Sequence, residues 1–202
     1  LGGFYKNFSN PIETILLLTT EAPQSTYGNA DKASVFGAEF EFKKSLASLS
    51  VAKVLRNTFL NVNASWIFSE VDLGTQATAQ QQVRQLQGQS PYLINAGLFY
   101  NDEEKNLFLS AAYNIFGPRI FAVGDVNFPS IYELPRHALD LQVAKKFGKV
   151  EAKLNIQNLL NAQYRFFQDT DFNNKIDTES RDASILSYQI GQQISLGLSY
   201  KF

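Results

Sequence analysis

The last stretch of the chain alternates with a period of two. Tyr188, Ile190, Ile194, Leu196, Leu198, Tyr200 and Phe202 share one parity, interrupted only by Gln192, while Gln189, Gly191, Gln193, Ser195, Gly197, Ser199 and Lys201 hold the other. Side chains of a β-strand point alternately to opposite faces, so this segment reads as a strand with one greasy face and one wet face. Sustained over about 15 residues, the pattern outruns an ordinary soluble strand and suits a tilted strand that crosses a bilayer.

The pattern recurs upstream. Leu139, Leu141, Val143 and Phe147 alternate with Asp140, Gln142, Ala144 and Lys146, and Ala152, Leu154 and Ile156 with Glu151, Lys153, Asn155 and Gln157. Leu60, Val62, Ala64, Trp66 and Phe68 alternate with Asn61, Asn63, Ser65, Ile67 and Ser69; Tyr92, Ile94, Ala96, Leu98 and Tyr100 alternate around Asn95 and Gly97. Ala38, Phe40 and Phe42 lie opposite Glu39, Glu41 and Lys43, and Leu107, Leu109, Ala111, Tyr113 and Ile115 opposite Ser110 and Asn114. With a less regular first strand from Phe4 to Leu18, the sequence predicts roughly eight strands.

A helical membrane span is excluded, because the longest aliphatic run is Ile15 to Leu18 and such a span needs roughly 20 apolar residues. Phe 17 and Tyr 9 supply aromatics that recur near strand ends, as at Trp66 and Phe68, Tyr92 and Tyr100, or Tyr200 and Phe202. Aromatic girdles at two interfaces, with Asn, Gln, Ser and Gly on the other parity, point to a membrane barrel. A soluble β-sandwich binding module also alternates, and partition into the aqueous phase without detergent discriminates it. A net charge of −1, with no basic cluster interleaved with aromatics, argues against nucleic acid as a partner. With Cys 0, neither disulfides nor thiolate metal sites are available. The chain opens at Leu1-Gly2-Gly3-Phe4 without a basic and apolar leader, and reads as a fragment of a longer exported polypeptide.

Connections of two kinds alternate. Asn101–Asn106 and Gly148-Lys149 are short, whereas Thr19–Ser34, Leu73–Ser90, Pro118–Leu134 and Phe167–Ser187 are long and polar; Ser45–Asn57 is intermediate. Bacterial barrels have short periplasmic turns and longer outer loops, so the chain is expected to run up and down with both ends on the periplasmic side.

Four stretches carry a resemblance: Phe4-Tyr5-Lys6-Asn7-Phe8; Arg84-Gln85-Leu86-Gln87-Gly88-Gln89-Ser90-Pro91-Tyr92; Asn158-Leu159-Leu160-Asn161 followed by Tyr164-Arg165-Phe166; and Ser195-Leu196-Gly197-Leu198-Ser199-Tyr200-Lys201-Phe202. In this order they resemble the barrels of TonB-dependent outer-membrane receptors. The resemblance implies an all-β, antiparallel transmembrane barrel of 22 strands closed by an N-terminal plug, of which residues 1–202 are the C-terminal portion. It implies transport of a ligand energised by the TonB complex through an N-terminal box, with plug and box expected outside this chain. It also implies an outer-membrane location in a Gram-negative bacterium, contact with membrane lipid, dependence on the barrel-assembly machinery, and a surface lipoprotein as a further partner. Ser195, Gly197, Tyr200 and Phe202 match the terminal signal which that machinery reads. The rival reading is a complete small barrel of about eight strands serving anchoring or adhesion.

No enzyme is expected. The single histidine, His137, sits beside Arg136 at a strand entrance, and no Gly-x-Ser-x-Gly elbow supplies a nucleophile. Glu103-Glu104 reads as a solvated turn, and Glu39 and Glu41 as lumen-facing charges. Asp169, Asp171, Asn173, Lys175 and Asp177 are spaced like the opening of an EF-hand loop, with oxygens at positions 1, 3, 5 and 9 and a carbonyl at 7, which makes calcium the candidate ion. Asn174 stands where the turn glycine belongs and Ser180 where a bidentate glutamate belongs, a place that Glu179 or Asp182 can fill only if the loop bends differently, so a plain Asp/Asn-rich turn is the competing reading. The substrate-binding residues are not legible.

Overall fold

The computed structural model describes residues 1–18, 22–49, 52–73, 83–125, 127–179 and 181–202. Strands are numbered in chain order. Eight of them form one antiparallel wall: β1 (Gly2–Ser9), β4 (Lys32–Ser45), β5 (Thr58–Asp72), β7 (Tyr92–Asp102), β8 (Leu107–Phe116), β11 (Ala138–Phe147), β12 (Val150–Gln157) and β15 (Gln193–Tyr200). They are hydrogen-bonded side by side in that order, so each of the eight expected strands has its counterpart. Among the described residues β1 and β15 are edges, and the wall is open.

Register turns the sequence alternation into two surfaces. Phe42, Val62, Ala96, Tyr113 and Leu139 are successive cross-strand partners, as are Leu60, Leu98, Ala111, Leu141, Ile156 and Ile194. The next row is Tyr100, Leu109, Val143, Leu154 and Leu196. On the opposite face Glu41, Asn63, Asn95 and Asn114 form one row, and Ser110, Gln142, Asn155 and Ser195 another. A slip of one residue in any pair would put that strand's polar set among the apolar rows, so burial of one face in lipid fixes the register. Phe36 stacks on Phe68 with ring centroids 5.2 Å apart, and Tyr200 meets Phe202 edge to face at 5.2 Å near the other end. On the polar face Phe4 covers Gly37, where an added Cβ would lie 2.8 Å from the ring.

The long connections are not plain loops. Strands β9 (Arg119–Ala122), β10 (Ile131–Glu133), β13 (Tyr164–Gln168) and β14 (Ala183–Tyr188) form a second sheet in the order β14-β13-β10-β9. That is the lateral order of β15, β12, β11 and β8, so the second sheet continues the wall beyond a break. Likewise β2 (Ile12–Leu18) and β3 (Pro23–Asn29) continue β1 and β4 as a hairpin, and β6 (Val83–Arg84) pairs with the end of β5.

The expected single strand from Phe4 to Leu18 is therefore two, divided at Asn10 (φ +53°) and Pro11. The C-terminal alternation is also two strands, β14 and β15, divided at Gly191 (φ +85°). Asn158 and Asn161, with φ of +52° and +44°, break the chain between β12 and β13. Proline withholds a ladder donor, and Gly and Asn accept the left-handed region most readily, so these residues end pairing where the side-chain alternation alone does not. The Ser45–Asn57 link carries a 3-10 turn at Leu46–Ser48 and a short helix, α1 (Lys53–Arg56). Parts of the Thr19–Ser34, Ser45–Asn57, Leu73–Ser90 and Pro118–Leu134 connections, and Ser180, lie outside the described residues.

Most buried apolar side chains gather in the extensions and at the adjoining ends of the wall strands. Ala30, Ala33, Val71 and Leu73 cluster with Leu86 against them, and Ile120, Val123 and Tyr132 cluster with Ile176. These two small cores set the shape of one end of the wall.

Candidate functional site at the mouth of the wall

The first connection folds across the mouth and is pinned there. Glu13, the lone acid of the apolar run in β2, accepts a bidentate pair from Arg84, with Nη1 to Oε1 at 2.8 Å and Nη2 to Oε2 at 2.5 Å. The two side chains are only 2% and 4% exposed, which makes each charge dependent on the other. Gln87 extends the joint: its N–H donates to Glu13 Oε1 (3.1 Å), its Oε1 accepts from the Thr14 N–H (2.6 Å), and its Nε2 donates to the Phe121 carbonyl (2.5 Å). The Gly88 N–H reaches the Ile120 carbonyl at 2.9 Å. The Leu16 N–H donates to the Val123 oxygen and the Val123 N–H to the Thr14 oxygen, closing a parallel bridge at Ile15 and Val123. The segment Arg84–Gly88 thus joins the β2 hairpin to β9.

Below the joint the inner face carries a neutral polar ladder. Asn114 Nδ2 donates to Asn95 Oδ1 (2.7 Å), Gln142 Nε2 to Asn155 Oδ1 (2.6 Å), and Asn155 Nδ2 to Ser195 Oγ (3.2 Å). At the mouth a cavity of about 410 Å³ lies among Gln85, Tyr132, Arg165, Asn174 and Lys175. Burial, reinforced by the nearby Asp169 charge, holds the Tyr132 hydroxyl well above the ordinary tyrosine pKa, so it stays a donor; its oxygen is 3.5 Å from Asn174 Oδ1.

The last connection, between β13 and β14, is tied by its carboxylates. Asp169 is fully buried and accepts the N–H groups of Asn173 (3.0 Å) and Asn174 (2.7 Å). Asn173 Nδ2 donates to Asp171 (2.8 Å), while the Lys175 N–H donates to Asn173 Oδ1 (2.7 Å). Asp182 accepts from the Thr170 and Asp177 N–H groups at 2.9 and 2.6 Å. Carboxylate oxygens of Asp169, Asp171 and Asp182 lie within 4.8 Å of one another. Of the spaced set, Asp169 and Asp171 are thus brought together with Asp182, one of the two acids named as stand-ins for the absent twelfth-position glutamate. Asp177 instead accepts the Glu179 N–H at 2.9 Å.

Other singled-out residues have local partners. His137 Nδ1 lies 2.6 Å from the Tyr113 hydroxyl, Glu104 contacts Lys53, and Glu41 pairs with Lys43 at 2.7 Å. Ser195 and Gly197 lie in β15 opposite Asn155 and Lys153, Tyr200 closes the ladder opposite Val150, and Phe202 is fully exposed.

An antiparallel wall with one apolar and one polar face, aromatics near both ends and strands folded over one mouth is the wall of a transmembrane β-barrel. Among protein families the chain matches the TonB dependent receptor-like β-barrel over residues 1–159, and it belongs to that family. The matched residues include Arg84–Tyr92, and the terminal stretch from Ser195 lies beyond them. The family consists of outer-membrane receptors and transporters of Gram-negative bacteria and is not a family of enzymes. No curated protein and no solved structure matches the chain.

Proposed function

We propose that residues 1–202 form the C-terminal portion of the wall of a TonB-energised outer-membrane transporter, with the short connections at the periplasmic end. The observation that carries the reading is the register: eight strands keep one predominantly apolar face and one polar face, under a mouth built from strand extensions. Two free edges in lipid leave backbone donors and acceptors unpaired, so further strands close the barrel. A plug, the TonB complex, the assembly machinery and a surface lipoprotein are the partners that this reading calls for. Growth on candidate ligands as sole nutrient, with and without TonB in a strain carrying the full-length protein, tests it. Uptake that depends neither on this protein nor on TonB favours the anchoring alternative.

Ser195, Gly197, Tyr200 and Phe202 serve in this reading as the assembly signal. The exposed Phe202 ring, held edge to face against Tyr200, is free to be read. Removing Phe202 is expected to lower the amount of assembled, heat-modifiable barrel in outer-membrane fractions while synthesis continues. Unchanged assembly would leave Phe202 with a role in the aromatic girdle alone.

Calcium is proposed for the last connection, held by Asp169, Asp171 and Asp182 beside Asn173. Burial pushes the Asp169 carboxyl above its ordinary value. A group raised in this way stabilises the loop at pH below the ordinary aspartate value and ceases to do so as pH rises through the raised one. A cation lifts that burden by favouring the ionised form. Calorimetry on the full-length protein is expected to give a calcium-dependent heat in the roughly 0.1–1 mM range typical of extracellular sites. The heat should grow as pH rises through the acid range and be absent in Asp169→Ala/Asp171→Ala. Wild-type protein without such heat at millimolar calcium removes the site and leaves a hydrogen-bonded turn.

A further inference from the structure

The cavity of about 410 Å³ at the mouth is built by stretches that lie far apart in the chain. Tyr132 and Leu134 come from β10 and the residue after it, Arg165 from β13, Lys175 and Ile176 from the last connection, and Gln85 from the segment that joins the β2 hairpin to β9. Each stands on anchored backbone. The Leu134 N–H donates to the Arg165 carbonyl at 2.9 Å, the Asn174 N–H to buried Asp169 at 2.7 Å, and the Lys175 N–H to Asn173 Oδ1 at 2.7 Å. The Gln85 carbonyl accepts from Arg84 Nη1 at 3.1 Å. The cavity is therefore preformed, as small-molecule sites are.

Its lining holds two cations, Arg165 and Lys175, and no acid. Among the described residues neither side chain enters an ion pair. The acids around them lie outside the lining and aim their oxygens elsewhere: Asp169 at the N–H groups of Asn173 and Asn174, Asp182 at those of Thr170 and Asp177, and Asp177 at that of Glu179. Asp171 faces Arg181 at 3.6 Å, and Glu133, between Tyr132 and Leu134, pairs with Arg119 at 2.7 Å. Glu179 is exposed and also outside the lining. Two like charges on one small cavity repel, and an anion between them removes that cost. Tyr132 adds a buried donor, 5% exposed, whose contact with Asn174 Oδ1 is 3.5 Å, so a closer acceptor would improve on it. Pro118, Leu134, Pro135 and Ile176 give the cavity an apolar side.

We propose that this cavity binds a small organic acid, its carboxylate between Arg165 and Lys175 with the Tyr132 hydroxyl as a third donor, and its carbon body against Pro118, Leu134 and Ile176. A guanidinium fork matches the two oxygens of a carboxylate. The apolar side favours a ligand with a hydrocarbon part over a bare inorganic anion. The site gives a chemical class to the ligand that the transport reading leaves open, and rests on that reading for its use in uptake. Binding is measured on the isolated protein, so a cavity blind to charge and an uptake independent of TonB are separate failures.

Saturation-transfer NMR on the detergent-solubilised full-length protein tests the site, with benzoate as the probe, benzamide as its uncharged counterpart and inorganic phosphate as a competitor without a carbon body. Wild type is expected to bind benzoate saturably and about tenfold or more tighter than benzamide or phosphate, the effect of one charge-assisted contact. Arg165→Gln and Lys175→Gln should each weaken benzoate about tenfold and leave benzamide unchanged. Arg165→Lys keeps the charge and loses the fork, so it should fall between wild type and Arg165→Gln. Lys43→Gln, near the far end of β4, should change nothing. Heat-modifiability checks that each variant's barrel is intact. Absence of saturable benzoate binding overturns the proposal, as does equal affinity for benzoate and benzamide in wild type, or benzoate binding undiminished in both glutamine variants. Phosphate bound more tightly than benzoate overturns the assignment to a carboxylate.

Discussion

Replacing Arg84 with alanine in the full-length protein should loosen the joint at the mouth by roughly 3–5 kcal/mol, the usual effect of stranding one member of a buried ion pair. The carboxylate of Glu13, 2% exposed, would then be left with a single donor, the Gln87 N–H. Glu13→Ala strands the guanidinium instead and should cost about as much. Hydrogen exchange locates the effect: the amides of Leu16, Gly88 and Val123, each bonded across the joint, should lose protection, while Asn95 and Leu154 in the wall keep theirs. The double substitution Glu13→Leu/Arg84→Met should recover most of the loss, since well-packed apolar side chains can replace a buried pair at little cost. Equal exchange in Arg84→Ala and wild type would mean that the hairpin is held by its backbone bridge to β9 alone.

The second large effect lies in the wall. Leu196→Arg should cost about 2–4 kcal/mol of folding free energy in a bilayer, as charge near the midplane of a barrel's lipid face does. Leu196 is 70% exposed and shares its row with Leu154, Val143 and Leu109, so an arginine there finds only acyl chains. Ser199→Arg should be nearly silent. Ser199 lies opposite Glu151, whose carboxylate is within 4.0 Å of Lys146, so a new cation joins an existing polar group. Urea titration of the full-length barrel refolded into vesicles separates the two. Similar losses at both positions would sink the face assignment.

The wall was readable from the sequence because its determinant is local. Leu196 and Ser199 are sorted by parity alone, and pairing Leu196 with Leu154 and Leu154 with Val143 follows once both faces must match along the sheet. The breaks were harder, because parity continues through them: Tyr188 and Ile190 keep the apolar phase of Ile194 although Gly191 turns the chain between them. The joint at the mouth was out of reach, since Glu13 and Arg84 are 71 residues apart and each looks ordinary in its own segment. Its one trace was an acid within the run Ile12-Glu13-Thr14-Ile15-Leu16. Asp182 was legible only as a stand-in that required the loop to bend, because metal spacing counts along one turn, whereas the chain folds back ahead of β14 to set Asp182 beside Asp169 and Asp171.

The breaks at Asn10-Pro11, Asn158–Asn161 and Gly191 separate two lengths of the same strands. Below them, hydrogen bonding and lipid dictate the residue at almost every position. Above them, the second sheet and the hairpin are held mainly by each other and by the Arg84–Gly88 segment. Pairing resumes afresh on the far side, so insertions or deletions in the upper lengths need not shift the register of the lower ones. That line is a natural seam for chimeras: crossovers placed there would exchange one receptor's upper strands for another's on an unaltered trunk. The same seam leaves the upper strands free to change in sequence while the trunk keeps its fit to the membrane.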